Sequence, residues 1–314
     1  MSDIAVIGAG AWGTALALQA ARAGRAVTLW ARHATTLREA RESPHLPGFV
    51  LPETIRIVDM LPSADLTLLA IPMQHARAVV ADLPGSGTLV MCAKGVETNT
   101  NRLPLELLAD ILPGRPAVML TGPNFAHEIA AGKPAAAVVA GTARDTVIAA
   151  LATPGFRLYG NDDAIGAQVG GAAKNVIAIA AGAVIGAGLG ENARAALVTR
   201  GLAELSRLAV ALGGRAETLT GLSGLGDLLL TCTGEKSRNF SLGLALGRGE
   251  TLASILASRN SVTEGVQTAP SLVARARTVG VSLPICAAVA EVVTGRATVE
   301  AAVSALLARQ LRNE

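Results

Sequence analysis

A lysine and an asparagine sit inside an otherwise apolar run, Gly170-Gly171-Ala172-Ala173-Lys174-Asn175-Val176-Ile177-Ala178-Ile179-Ala180. Burying an unpaired ammonium costs on the order of several kcal/mol, comparable to the net stability of a whole domain. A charge kept there implies a carboxylate partner or a ligand. A positioned ammonium can pass a proton and stabilise a developing negative charge. The bland alternative is a lysine reaching solvent from a helix end. On a helix Lys174 shares a four-residue row with Gly170, Ala178, Gly182 and Gly186, which predicts open space around its ammonium. Asp227, set between glycines and an apolar run in Leu222-Ser223-Gly224-Leu225-Gly226-Asp227-Leu228, is its candidate partner. Ser223 is not a nucleophile elbow, because Leu225 stands where G-x-S-x-G needs glycine. Ser237-Arg238-Asn239 precedes a further helical run. It reads either as a phosphate seat at a helix N-terminus or as a serine cap beside an exposed arginine. Glu264, at another helix start, reads by itself as an acidic first-turn residue.

A second constellation opens the chain. Ile4-Ala5-Val6-Ile7 reads as a buried strand, Gly8-Ala9-Gly10-Ala11-Trp12-Gly13 gives G-x-G-x-x-G, and an alanine-rich helix runs from Thr14 to Ala23. Gly8 makes the tight turn, Gly10 lets a pyrophosphate approach the backbone, and Gly13 lets the helix pack closely on the sheet. The helix N-terminus offers free N–H groups to phosphates. The following strand, Ala26 to Trp30, supplies the βαβ context that the motif requires. After it comes Arg32, where an NAD-preferring site carries an acidic residue. A guanidinium can pair with a 2′-phosphate, so NADPH is expected over NADH.

These groups need elements to hold them. Strands at Ile55–Val58, Asp65–Pro72, Thr88–Gly95, Val118–Asn124 (ending in a turn), Ala135–Ala140 and Phe156–Tyr159 alternate with short helices, the pattern of a doubly wound α/β domain. Lys94 then lies at a strand's carboxyl end, facing the crevice where ligands sit in such sheets. Ser43–Pro52, with three prolines, is expected to be a loop that closes over the cofactor. Beyond Asp162 only helical patterns remain: Ala164–Val184, Ala193–Leu212, Leu242–Ala245, Leu252–Ala257, Val266–Thr278, and Ala287–Leu311 with a break near Gly295. The expected domains are 1–165, binding the dinucleotide, and 166–314, all-α and catalytic.

Composition narrows the class. The 314 residues are 51% hydrophobic and carry a net charge of +3. The most apolar stretch, Val176–Gly190, is too short to span a bilayer comfortably. Dispersed cations and 2% aromatics argue against nucleic acid, and the mild positive excess suits small anions. Cys92, Cys232 and Cys286 are far apart, as in a reduced cytoplasmic protein, and the start of the chain shows no secretion signal. His33, His45, His75 and His127 show no metal-ligand pairing, so no metal site is expected. The apolar helical half suggests a homodimer.

The ordered set resembles the bacterial-type NAD(P)-dependent glycerol-3-phosphate dehydrogenases over nearly the whole chain. It comprises the Gly8–Gly13 turn, Ala93-Lys94-Gly95, Thr121-Gly122-Pro123, Ala173–Ile179, Arg200–Glu204, Gly224–Leu228 through Thr231-Cys232-Thr233, Ser237-Arg238-Asn239 and Thr263-Glu264-Gly265. The resemblance implies a Rossmann domain followed by a helical domain, with the site between them. It implies reduction of dihydroxyacetone phosphate to sn-glycerol 3-phosphate, supplying phospholipid synthesis. Lys174 matches the family's proton donor. Lys94, Gly122, Asp227, Ser237, Arg238 and Asn239 match substrate positions. Trp12, Arg32, His33, Lys94, Ala126, Arg238, Val262 and Glu264 match cofactor positions, beside Gly8, Gly10, Ala11 and Gly13 of the turn. Asn124 stands where the family commonly has Ser or Thr, which leaves a substrate contact there open. The runner-up is a β-hydroxyacid or 6-phosphogluconate-type dehydrogenase acting on a carboxylate. A non-catalytic NADPH-binding regulator is a further alternative.

Overall fold

The computed structural model describes residues 3–259 and 263–310. The chain divides into two compact units. One comprises the residues up to Lys94 together with Leu103–Gln168; the other comprises Gly95–Arg102 and the chain from Val169 onward.

The first unit alternates strands and helices. In order these are β1 (Ile4–Ile7), α1 (Ala11–Arg22), β2 (Val27–Trp30), α2 (Ala34–Ala40), β3 (Ile55–Val58), β4 (Leu66–Leu69), α3 (Met73–Ala81), β5 (Thr88–Met91), α4 (Pro104–Ile111), β6 (Ala117–Thr121), α5 (Ala126–Ala130), β7 (Ala135–Ala140), α6 (Arg144–Leu151) and β8 (Phe156–Asn161). Among the described residues the eight strands form one sheet in the order β3-β2-β1-β4-β5-β6-β7-β8. The strands from β3 through β6 are parallel. β7 then runs antiparallel to β6, and β8 parallel to β7. β1 and β4 are buried along their whole length, as expected of central parallel strands covered on both faces.

Arg22, the last residue of α1, and Arg25 just beyond it tie α1 to two neighbouring helices. The Arg22 guanidinium donates to the carbonyls of Ile129 and Ala130, and that of Arg25 to Ala149 and Ala150 at 2.6 and 2.9 Å. Both place positive charge at helix C-termini, α5 and α6, where the dipole favours it. The loop from Arg41 to Pro52 is not a loose flap. Ser43, Leu46 and Leu51 are buried, and Arg41 donates to the carbonyls of Leu51, Pro52 and Ile55.

α7 (Ala164–Gly186) begins with Asp163 accepting the Gly166 N–H at 2.8 Å and continues as the interior helix of the second unit. Around it lie α8 (Gly190–Ala211), α9 (Ala216–Thr220), a π-turn (Leu222–Gly226), α10 (Asp227–Cys232), α11 (Arg238–Gly247), α12 (Leu252–Ala257), α13 (Glu264–Thr278), α14 (Pro284–Val293) and α15 (Val299–Leu307). At 23 residues α7 is longer than the apolar stretch read from the sequence, and by length and composition it could cross a membrane. Yet 83% of its most apolar window is buried inside the protein, as in a core helix. The small residues on its face leave no open space, contrary to the expectation for Lys174's row. A Cβ on Gly182 would stand 2.0 Å from the Phe240 oxygen, and one on Gly170 2.4 Å from the Ser223 oxygen. The row is a seam for close backbone approach, and it brings α11 and the π-turn against α7.

Candidate active site

In the first unit the site is built at the carboxyl ends of β1 and β4, the neighbours at which strand order reverses. Ligands settle at such switch points. Gly8 adopts φ +109°, and a Cβ there would stand 2.7 Å from the Ala70 oxygen just beyond β4. A Cβ on Gly13 would meet the Gly8 oxygen at 1.8 Å. The turn therefore accepts only glycine at both places. Gly10 differs: a Cβ there would meet nothing within 4 Å. Thr14 N donates to the Gly10 oxygen at 2.9 Å, closing the first turn of α1. The N–H groups of Gly10, Ala11 and Trp12 have no acceptor among the described residues. The Trp12 indole N–H is buried and likewise lacks one. Open space bordered by unsatisfied donors at a helix N-terminus fits a dinucleotide pyrophosphate.

Arg32 and His33 follow β2 and are exposed. The Arg32 guanidinium makes no hydrogen bond among the described residues. Lys94 and Gly122, at the ends of the paired strands β5 and β6, are brought together. The Lys94 ammonium donates to the Gly122 oxygen at 3.1 Å. Asn124 Nδ2 donates to the Ala136 oxygen at 3.0 Å, which pins the Gly122–Asn124 turn to β7, and its Oδ1 is buried without a partner. Ala126 is half-buried at the start of α5.

In the second unit Lys174 is 8% exposed and Asp227 1%. Lys174 Nζ donates to Asp227 Oδ1 at 2.5 Å and to Thr231 Oγ1 at 2.9 Å. The Thr231 hydroxyl donates in turn to the Asp227 carbonyl oxygen at 2.6 Å. The π-turn presents Asp227 as the first residue of α10, which places Thr231 one helical turn on. Thr231 is the participant that sequence reasoning did not single out. Its sequence signals are a hydroxyl four residues after Asp227, on the same helix face, and its place in the Thr231-Cys232-Thr233 run. Cys232, also buried here, has its thiol pushed up to about 12, by burial first, so it stays protonated at neutral pH.

Asn239 is 8% exposed. Its Nδ2 donates to Asn175 Oδ1 at 2.9 Å and its Oδ1 accepts the Gly265 N–H at 3.1 Å. It thus joins α7, α11 and the start of α13, and one of its amide N–H groups remains for an anion. Ser237 caps α11: its oxygen accepts the Phe240 N–H at 3.2 Å, which leaves the other N–H groups of the first turn open to an anion. Arg238 is exposed at the first position of α11, and its carbonyl accepts Arg259 Nη1 at 2.8 Å. Glu264 opens α13. Val262 lies outside the described residues. Among the described residues no group of three or more His, Cys, Asp or Glu is placed to hold a metal ion.

Comparison with known proteins converges on one family. The N-terminus model of the NAD-dependent glycerol-3-phosphate dehydrogenases matches residues 3–147, and the C-terminus model matches residues 163–304. A glycerol-3-phosphate dehydrogenase (NAD(P)+) of Acidiphilium cryptum is 56% identical over 99% of this chain and 98% of its own length. That of Gluconobacter oxydans is 52% identical over 98% and 97%. The crystal structure of the Coxiella burnetii glycerol-3-phosphate dehydrogenase is similar with a TM-score of 0.92 at 36% identity, covering 98% of this chain and 99% of that one.

Proposed function

The chain belongs to the NAD-dependent glycerol-3-phosphate dehydrogenase family, and on that premise we propose that it reduces the C2 ketone of dihydroxyacetone phosphate to sn-glycerol 3-phosphate with NADPH or NADH. The observation that carries the reading is the buried Lys174–Asp227 pair with Thr231 at its side. A buried ammonium locked by two partners is a preorganised donor for an oxygen that gains negative charge.

A nicotinamide cofactor held by the first unit's glycine turn would supply the hydride for C2. Lys174 donates a hydrogen bond to the carbonyl oxygen and gives up a proton from Nζ as the alcohol forms. Asp227 compensates the lysine's charge, and Thr231 fixes its direction. Arg238, the remaining Asn239 amide N–H and the Ser237-capped start of α11 hold the phosphate. Remote binding energy then orients C2. The family resemblance also assigns Lys94, Gly122 and Asn124 to the substrate, and in the first unit Lys94 is held at Gly122. Gly8, Gly10, Ala11, Trp12 and Gly13 cradle the pyrophosphate. Arg32 and His33 would read the adenosine end, and the resemblance further assigns Ala126, Val262 and Glu264 to the cofactor. Arg32, exposed and uncommitted, supports a preference for NADPH. Arg32→Asp should shift that preference toward NADH, and an unchanged NADPH/NADH ratio of kcat/KM would refute the role.

We further propose a cytoplasmic homodimer that supplies glycerophospholipid synthesis. Apolar side chains exposed on the second unit, Val210, Leu229, Leu256 and Leu307, support the dimer.

The deciding experiment is NADPH oxidation with dihydroxyacetone phosphate, beside unphosphorylated dihydroxyacetone and a β-keto acid. Rapid turnover of the phosphate ester alone is expected. Turnover of the keto acid instead would move the substrate to a carboxylate. Tight NADPH binding without any turnover would mark a regulator.

A further inference from the structure

Ser43 lies in the loop between α2 and β3 and is fully buried, at 0% exposure. Its hydroxyl donates to the Ala9 carbonyl oxygen at 2.8 Å, across 34 residues of chain. Thr14 Oγ1 donates to the same oxygen at 3.3 Å. Ala9 stands between the first two glycines of the turn. Its carbonyl and the Gly10 N–H belong to one peptide unit. In a planar trans peptide these two groups point in opposite directions. Two hydroxyls holding the Ala9 oxygen on one side therefore aim the Gly10 N–H to the other.

Ser43 is itself fixed. Its hydroxyl oxygen accepts the His45 N–H at 3.3 Å, and its carbonyl accepts the Leu46 N–H at 2.9 Å. Leu46 and Leu51 belong to the core. Gly48 N donates to Glu42 Oε1 at 2.8 Å, and Arg41 clamps three carbonyls at the loop's far end. The loop thus carries its rigidity to the glycine turn through one hydroxyl.

We infer that Ser43 is a positioning residue that holds the Ala9–Gly10 peptide so that the Gly10 N–H meets a dinucleotide pyrophosphate. This rests on the proposed reading of the turn as a dinucleotide seat. Ser43 touches neither substrate nor cofactor in this role; it acts through Ala9.

The test is titration of the wild type, Ser43→Ala and the nearly isosteric Ser43→Cys with NADPH and with ADP-ribose. ADP-ribose keeps the pyrophosphate and lacks the nicotinamide. Losing one such hydrogen bond should weaken both ligands by the same factor, about three- to tenfold. At saturating cofactor, kcat and the KM for dihydroxyacetone phosphate should stay within about twofold, because the loss falls on binding alone. Wild-type affinity for both ligands in Ser43→Ala would overturn the inference. So would a parallel loss of kcat and substrate KM, or misfolding of both variants, since either would make the role a general structural one. If the wild type binds neither ligand, the reading of the turn fails instead, and the two failures are told apart.

Discussion

Thr231 gives its own proton to the Asp227 carbonyl, so toward Lys174 its oxygen can only accept. Replacing it with valine keeps the shape and removes both bonds in a buried place. Leaving a buried partner unsatisfied costs about 1–3 kcal/mol. Thr231→Val should therefore lower kcat by about 10- to 100-fold, with the KM for NADPH unchanged, while Thr231→Ser restores most of the rate. Steady-state kinetics decide this, and an unchanged kcat would show that Asp227 alone orients the lysine. Lys174 and Asp227 were legible in the sequence because their burial is so costly that each demanded the other. Thr231 was not, because a threonine in a helix can spend its hydroxyl on the carbonyl four residues back without any functional partner. Ser237 and Asn239 were legible as a helix start, but the Asn175–Asn239–Gly265 linkage joins three segments distant in sequence, and no local pattern encodes it.

At the scale of elements, alternation of strand and helix was readable in the first unit because buried strands and amphipathic helices carry different periods. The reversal of β7 was not, since period says nothing about direction. The glycines of Leu222–Gly226 carry no pattern that names its conformation; it winds as a π-turn in which Gly224 lies against the Leu219 backbone, where a Cβ would stand 2.1 Å from its oxygen. The helix α14 shows how one element can set the conditions of another. Its first N–H groups, on Ile285 and Cys286, donate to Glu204 of α8 at 2.7 and 3.2 Å. Glu204 is 3% exposed, and burial raises its pKa against these two donors, which lower it. A carboxyl that holds its proton more tightly when folded contributes stability below its ordinary value, and that contribution is lost as pH rises toward the shifted one. Wild-type stability should therefore fall as pH climbs above the ordinary glutamate value of about 4.5. Glu204→Gln, with no such proton, should lack that decline, although its amide offers one acceptor oxygen to the two N–H donors and so lowers the Tm at acid pH. Thermal unfolding of both proteins across this range tests it. A Tm lower for glutamine at every pH would mean that the charge-assisted bonds outweigh the cost of burial.

Across the whole molecule, a mean hydropathy of +0.45 is accounted for by internal packing, and the most apolar helix, α7, is interior. The first unit has its own core, drawn from residues between Ile4 and Phe156, and the glycine turn rests on that core. The Lys174–Asp227 pair belongs to the second unit. The proposed glycine-turn seat for the pyrophosphate and the proposed proton donor thus lie in separately packed units, and a lesion confined to the lysine pair should spare the glycine turn. Lys174→Ala should lower turnover by about two to four orders of magnitude, the usual contribution of a general acid, while the Kd for NADPH stays within about threefold. The single variant strands a buried carboxylate, which by itself costs about 3–5 kcal/mol of stability. The Lys174→Ala/Asp227→Asn double variant removes that charge, so it should regain thermal stability without regaining turnover. Recovery of turnover in the double variant would mean that the single variant was merely misfolded. Substantial turnover in Lys174→Ala would remove the lysine from the chemistry altogether.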